Sequence, residues 1–159
     1  MGVGDFESFA ETASDSLLRQ AWLLTGDPHK AEDLLQTVLA RLWQRWARVS
    51  DPWPYARKML YSTYLTWWRR RWRHEVPTSE LPDASSAGPD VELRLTLLGR
   101  LASLSRMQRA VLALRYWEDL SVEDTATVLG CSAGSVKTHT ARALAVLRAD
   151  ELLRLEAGL

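Results

Sequence analysis

Cysteine is almost missing from this chain: Cys131 is the only one in 159 residues. An internal disulfide framework is therefore excluded, and a reducing cytoplasm is the expected setting. No apolar run approaches the roughly 20 residues needed to span a bilayer, so no membrane insertion is expected. Met1–Asp5 lacks the basic stretch and following apolar stretch of a secretory signal. The three histidines, His29, His74 and His139, are scattered, and there is no HExxH, no paired-Cys spacing and no Gly-rich phosphate loop. Glu32 and Asp33 are adjacent on an expected helix and diverge, which makes a poor acid–base pair. The chain is thus expected to be no enzyme, with no catalytic residues, no metal and no cofactor. Sustained alternation with turn signals is also lacking, so no sheet is expected.

What is present is a globular composition, 47% hydrophobic and 25% charged, with eight tryptophans. The formal net charge is zero, but it is unevenly spread. Residues 1–73 carry 11 Lys/Arg against 8 Asp/Glu; residues 74–90 carry four acids and no Lys or Arg; residues 91–159 carry 9 basic and 8 acidic residues. Local potential governs approach to a polyanion, and the run Trp67-Trp68-Arg69-Arg70-Arg71-Trp72-Arg73 is strongly basic.

His74–Asp90 holds three prolines, three serines and four acids, and reads as a flexible linker. Two small all-α domains are expected on either side, 1–73 and 91–159. Ala31, Leu34, Leu35, Val38, Leu39, Leu42, Trp43 and Trp46 follow the 3.6-residue repeat of an amphipathic helix, with Asp27-Pro28 as its start. An earlier helix is expected from about Asp5 to Thr25, ending at Gly26. Pro52 and Pro54 break the chain at Val49–Pro54, and a third helix is expected from about Pro54 to Arg73. Beyond the linker, Val91–Ser103 supplies spaced leucines, and Ser105 suits the cap of a helix over Met107–Trp117.

Ser121–Arg148 carries the sharpest local signal. Ser121 and Asp124 resemble a capping box with Asp in place of Glu or Gln. Ala126 is small where two helices cross, Gly130 permits the reversal four residues on, and Val136 follows six residues later as an apolar anchor. That is helix-turn-helix spacing, in which the second helix enters the DNA major groove. Ser132 is its expected cap; Ser135, Lys137, Thr138, His139 and Arg142 are expected to project outward, where such side chains read base edges or hold phosphates. A helical hairpin with a solvated polar face is the plainer alternative.

The Pro54–Arg73 helix divides into two sides. Ala56, Leu60, Tyr64 and Trp67 suit a core; Tyr61, Leu65, Trp68 and Trp72 adjoin Arg57, Lys58 and Arg69–Arg73. Aromatic faces stack on unpaired bases while arginines follow the backbone, the chemistry of single-stranded nucleic-acid binding. The alternative is a helical core with a basic, solvated end.

Taken in order, these parts resemble the RNA polymerase sigma factors of the sigma-70 family, extracytoplasmic-function (ECF) group, and within it the actinobacterial sigma-E-like subgroup. Ala31-Glu32-Asp33-Leu34-Leu35-Gln36 through Arg41-Leu42-Trp43 is similar to region 2.2; Tyr55-Ala56-Arg57 through the WWRRRWR run is similar to regions 2.3–2.4. Leu104-Ser105-Arg106-Met107-Gln108-Arg109 through Ala145-Val146-Leu147-Arg148 is similar to regions 4.1–4.2. The resemblance implies a protein that associates with core RNA polymerase, through its β′ clamp and β subunits, and directs it to promoter DNA. An anti-sigma factor is an additional candidate partner. Asp33 and Gln36 fall on the family's central polymerase contacts, with Thr37 and Trp43 flanking. The −10 element would be held by Trp53, Arg57, Lys58, Tyr61, Ser62, Trp68, Arg69, Arg70, Arg71, Trp72 and Arg73, with a flipped base captured near Val49–Pro54. The −35 element would be read by Ser132, Ser135, Lys137, Thr138, His139 and Arg142. Many relatives carry Asn at Ser62, Pro at Ser105 and Arg at His139.

A free-standing, dimeric helix-turn-helix regulator is the competing expectation. It accounts for Ser121–Arg148 but leaves the Asp33/Gln36 helix and the WWRRRWR run without a purpose.

Overall fold

The structure, a computed structural model, describes residues 2–70 and 99–156. All regular elements among them are helical, and the chain divides into two compact units, the first ending at Thr78 and the second starting at Ser79.

The first unit is built from three long helices: α1 (Val3–Thr25), α2 (Pro28–Arg45) and α3 (Pro52–Arg70). Gly26 ends α1 in the left-handed region at φ 67°, a conformation glycine adopts without steric cost, and its N–H closes onto the Trp22 carbonyl. Asp27 then caps α2: Oδ1 accepts from the backbone N–H groups of His29 at 2.8 Å and Lys30 at 3.0 Å, and Pro28 occupies a position whose N–H would have no helical partner. A short 3₁₀ turn, Trp46–Arg48, leads to the second break. Helix α3 starts two residues earlier than the sequence suggested. Both Pro52 and Pro54 fit because the first-turn N–H groups need no acceptor.

Each of the three helices packs on the other two. Leu17, Ala21 and Leu24 from α1, Leu34, Val38 and Leu42 from α2, and Ala56, Leu60 and Tyr64 from α3 are all fully buried. At one end Phe6 and Phe9 of α1 meet Trp43 and Trp46 as a four-ring cluster, with centroids 5.1 to 5.6 Å apart.

In the second unit, residues 99–101 are helical and lead to α4 (Arg106–Leu112), which passes into a π-helical turn, Ala113–Trp117. Then come α5 (Val122–Leu129) and the long α6 (Ala133–Glu156). Ser105 closes a full capping box on α4, Oγ accepting from Gln108 N–H at 3.2 Å while Ser105 N–H donates to Gln108 Oε1 at 2.9 Å. The Ser121 box is only half made. Its Oγ accepts from Asp124 N–H at 3.0 Å, and among the described residues no bond returns from the Asp124 carboxylate. Helix α6 packs on both α4 and α5 around Val111, Ala126 and Val136, with Met107, Val122, Leu129 and Cys131 against them.

Candidate nucleic-acid and polymerase interfaces

The turn between α5 and α6 follows from its residues. Gly130 sits at φ 68°, where a side chain would strain the backbone although space for a Cβ is open. Cys131 N–H returns to the Ala126 carbonyl at 3.1 Å, and Ser132 Oγ accepts from Ser135 N–H at 3.0 Å to start α6. Ala126 is 7% exposed at the helix crossing, and Val136 is fully buried beneath α6. The sequence spacing has therefore produced the helix-turn-helix geometry.

That anchoring turns the rest of the first turns of α6 outward. Lys137, Thr138 and Arg142 are exposed, Ser135 and His139 half-buried, and Ser132 exposed at the cap. Thr138 and Arg142, four apart, stand one above the other, while Lys137 lies on the other flank of the same exposed surface. Thr138 and Arg142 thus rise side by side, with His139 at the boundary of the core.

On α2 of the first unit, Asp33 and Gln36 are exposed, Thr37 is half-buried and Trp43 is 45% exposed. At 100° per residue, positions 33, 36, 37 and 43 fall within an arc of about 120°. They form one outward strip on the side away from Leu34, Val38 and Leu42. The Trp43 indole rests on Phe6, which leaves its outer part free for a partner.

Helix α3 separates the residues expected at the −10 element. Lys58 and Ser62 are exposed and four apart, hence on one side; Trp53 and Arg57 are half-buried, and Arg57 points about 100° away from Lys58. Tyr61 needs a correction: it is fully buried rather than displayed to nucleic acid. Its hydroxyl donates to Gln20 Oε1 at 2.9 Å, and Gln20, also fully buried, donates in turn to the Ser16 carbonyl at 3.5 Å. The reason is that α3 packs on α1 and α2 together. Such a helix buries more than a single stripe, taking Tyr61 and Thr63 inside along with Ala56, Leu60 and Tyr64. The side chains of Trp68, Arg69 and Arg70, and all of Arg71, Trp72 and Arg73, lie outside the described residues.

Two further side chains of α2 reach across to α3. Arg41 Nη1 donates to Thr63 Oγ1 at 3.3 Å, and Arg45 Nη1 donates to the Tyr55 hydroxyl at 3.2 Å. The Tyr55 bond holds the Arg45 guanidinium above its already high pKa. The sequence signal for them was the four-residue spacing of arginines on α2, which aligns them on one flank.

Among the described residues there is no group of His, Cys, Asp or Glu able to hold a metal, and no helix long and apolar enough to cross a membrane.

Comparison with known proteins agrees with this geometry in both units. Residues 9–74 match Sigma-70 region 2, and residues 94–147 match Sigma-70, region 4. The RNA polymerase sigma-E factor of Streptomyces avermitilis is 44% identical over 153 residues, covering 93% of this chain and 86% of that protein. The chain belongs to the sigma-70 family, as an ECF-type sigma factor. The ECF RNA polymerase sigma factor SigL of Mycobacterium tuberculosis is 34% identical over 145 residues, covering 83% of this chain and 80% of that one. Among solved structures, the sigma factor RpoE of Bartonella quintana, crystallised with the anti-sigma factor NepR, matches with a TM-score of 0.75 and 25% identity. That match covers 96% of this chain and 98% of RpoE. CnrH, solved with the cytosolic domain of CnrY, shares the fold at a TM-score of 0.65 and 19% identity, covering 91% of this chain and 85% of CnrH. The family is one of transcription-initiation factors, and the sigma factor binds core RNA polymerase and recognises promoter DNA. The dimeric-regulator reading leaves the region 2 match without a role and is not favoured.

Proposed function

We propose that the two units of this sigma factor divide the work by surface. The Asp33–Gln36–Thr37–Trp43 strip on α2 grips core RNA polymerase. Lys58 and Ser62 on α3, with Trp53, Arg57 and the basic run from Trp68 to Arg73, hold the opened −10 element. Ser132, Ser135, Lys137, Thr138, His139 and Arg142 read the −35 element as duplex. The observation that carries this reading is the outward strip on α2. An outward row of exposed Asp33 and Gln36, flanked by half-buried Thr37 and by Trp43 at 45% exposure, on the same chain as a helix-turn-helix, suits a subunit that docks on one body and reads another.

The sigma factor works in the cytoplasm and lends the polymerase specificity without chemistry of its own. Each DNA surface is small and salt-dependent, so tethering to the polymerase supplies the affinity that neither has alone. Control by an anti-sigma factor is supported by the Bartonella relative, which is crystallised with one.

Footprinting with and without core polymerase tests the scheme. The holoenzyme is expected to protect both elements and the free chain neither. Asp33→Ala and Gln36→Ala should weaken polymerase binding with promoter preference unchanged, and Arg142→Ala should do the reverse. Identical defects from both classes at every promoter would refute the division.

A further inference from the structure

Arg41 and Arg45 have no part in the surfaces assigned so far. Both are exposed, four residues apart on α2, and so about 6 Å from each other along one flank. Each reaches across to α3 and rests on a neutral hydroxyl, Arg41 on Thr63 and Arg45 on Tyr55. Among the described residues neither is paired with a carboxylate. A guanidinium carries five N–H donors, and one hydroxyl uses one of them. What remains is a full positive charge with a fork of donors, pre-oriented by α3 and open to an acceptor.

The position of the pair indicates the acceptor. Tyr55, Lys58, Ser62 and Thr63 lie within about 150° of one another around α3, so the arginines border the side that displays Lys58 and Ser62. The fold asks of the two side chains only a hydrogen-bond donor for each hydroxyl, and a neutral donor would serve. Among the described residues neither guanidinium enters an ion pair, and a single guanidinium–hydroxyl bond from an exposed arginine contributes modestly to stability. Planar bidentate donors on a row are well matched to phosphate oxygens.

We propose that Arg41 and Arg45 bind two backbone phosphates of the promoter strand held at the −10 element, extending that surface from α3 onto α2. Thr63 and Tyr55 act as props that set the two forks before DNA arrives. The proposal rests on the reading that the Lys58/Ser62 side of α3 faces the opened strand.

The test is equilibrium binding of reconstituted holoenzyme to a fork-junction DNA built on a promoter found by mapping its own transcript starts. The double variant Arg41→Gln/Arg45→Gln should bind more weakly at low salt. Two lost single-strand phosphate contacts remove about 1.4 from the log–log salt slope, so the wild-type advantage should shrink roughly sevenfold between 50 and 200 mM salt. Arg41→Lys/Arg45→Lys keeps the charge and should restore most of the slope, which a purely structural role would not predict. Core-polymerase affinity and the thermal midpoint should stay those of the wild type.

An unchanged salt slope in the Gln variant, while Lys58→Ala weakens binding, would overturn the proposal and leave the α3 reading standing. If Lys58→Ala and the arginine variant were both without effect, the α3 reading itself would fall. Loss of core-polymerase binding in the Gln variant would reassign the pair to a protein contact and equally overturn the proposal.

Discussion

The two units reach a stable helical core by different means. In the first, helices of 23, 18 and 19 residues close on large side chains, with Tyr61, Tyr64 and Leu60 fully buried and Trp46 4% exposed. In the second, α4 and α5 have 7 and 8 residues, and the buried side chains described are smaller and aliphatic, among them Ala110, Val111, Leu114, Ala126, Val128 and Val136. Helices below about 12 residues are marginal in isolation, so α4 and α5 lean on their serine caps and on the 24-residue α6 they pack against, whereas the long helices of the first unit close on aromatic volume. The lesson extends to function. A core that needs aromatic volume competes with the nucleic-acid surface for the same residue types, and a small core does not.

The largest expected effect tests that competition directly. Tyr61→Ala removes a buried ring and its bond to Gln20, and should cost about 3–5 kcal/mol in urea denaturation of the first unit. Tyr61→Phe keeps the ring but strands the Gln20 carbonyl, and should cost about 1–3 kcal/mol with promoter preference unchanged. A stable Tyr61→Phe protein with altered −10 preference would return Tyr61 to the DNA surface.

Next in size is the reading helix of the second unit. Arg142 is exposed beside Thr138 and contributes nothing to the core, so Arg142→Ala should leave stability within about 0.5 kcal/mol. It should cost about 1–3 kcal/mol in discrimination at one position of the −35 element, measured by competition among single-base variants. A loss that is uniform across those variants would make Arg142 a phosphate contact instead.

How legible these surfaces were in the sequence follows from the same contrast. Around Val136 the spacing of small, glycine and apolar residues has one solution, and Ser132, Lys137, Thr138 and Arg142 lie where that solution puts them. Around α3 the apolar repeat fits more than one rotation. Tyr61 lies one residue from Leu60, and nothing local says that a helix with two neighbours takes both inside. The Tyr61–Gln20 bond joins positions 41 apart, and the Arg41–Thr63 and Arg45–Tyr55 bonds depend on how α2 crosses α3. Such pairings are set by tertiary packing and leave no periodic trace. The trace left by Asp27, Ser105 and Ser132 is strong because a cap bonds within three residues of itself.

Smaller effects should fall on the turn and the caps of the second unit. Gly130→Ala places a side chain at φ 68°, and should cost about 1–2 kcal/mol of that unit's stability with no steric clash to blame. Ser132→Ala should cost about 1 kcal/mol, and so should Ser105→Ala, by removing the oxygen that caps each helix.

The finest distinction lies between the two helix starts that look alike in sequence, Ser105/Gln108 and Ser121/Asp124. Gln108 has the reach to return a bond to the Ser105 N–H; the Asp124 carboxylate, one methylene shorter, returns none among the described residues. What Asp124 still offers is negative charge in the first turn of α5, where the helix dipole favours it. Asp124→Asn should therefore lose about 0.3–1 kcal/mol at low ionic strength, and the loss should fade with added salt. Asp124→Glu keeps the charge and adds the reach to complete the box, so it should match or slightly exceed the wild type in thermal midpoint. A destabilised Asp124→Glu would mean that the Asp124 side chain is held by geometry rather than by its charge, and the two starts would then differ in kind rather than in length.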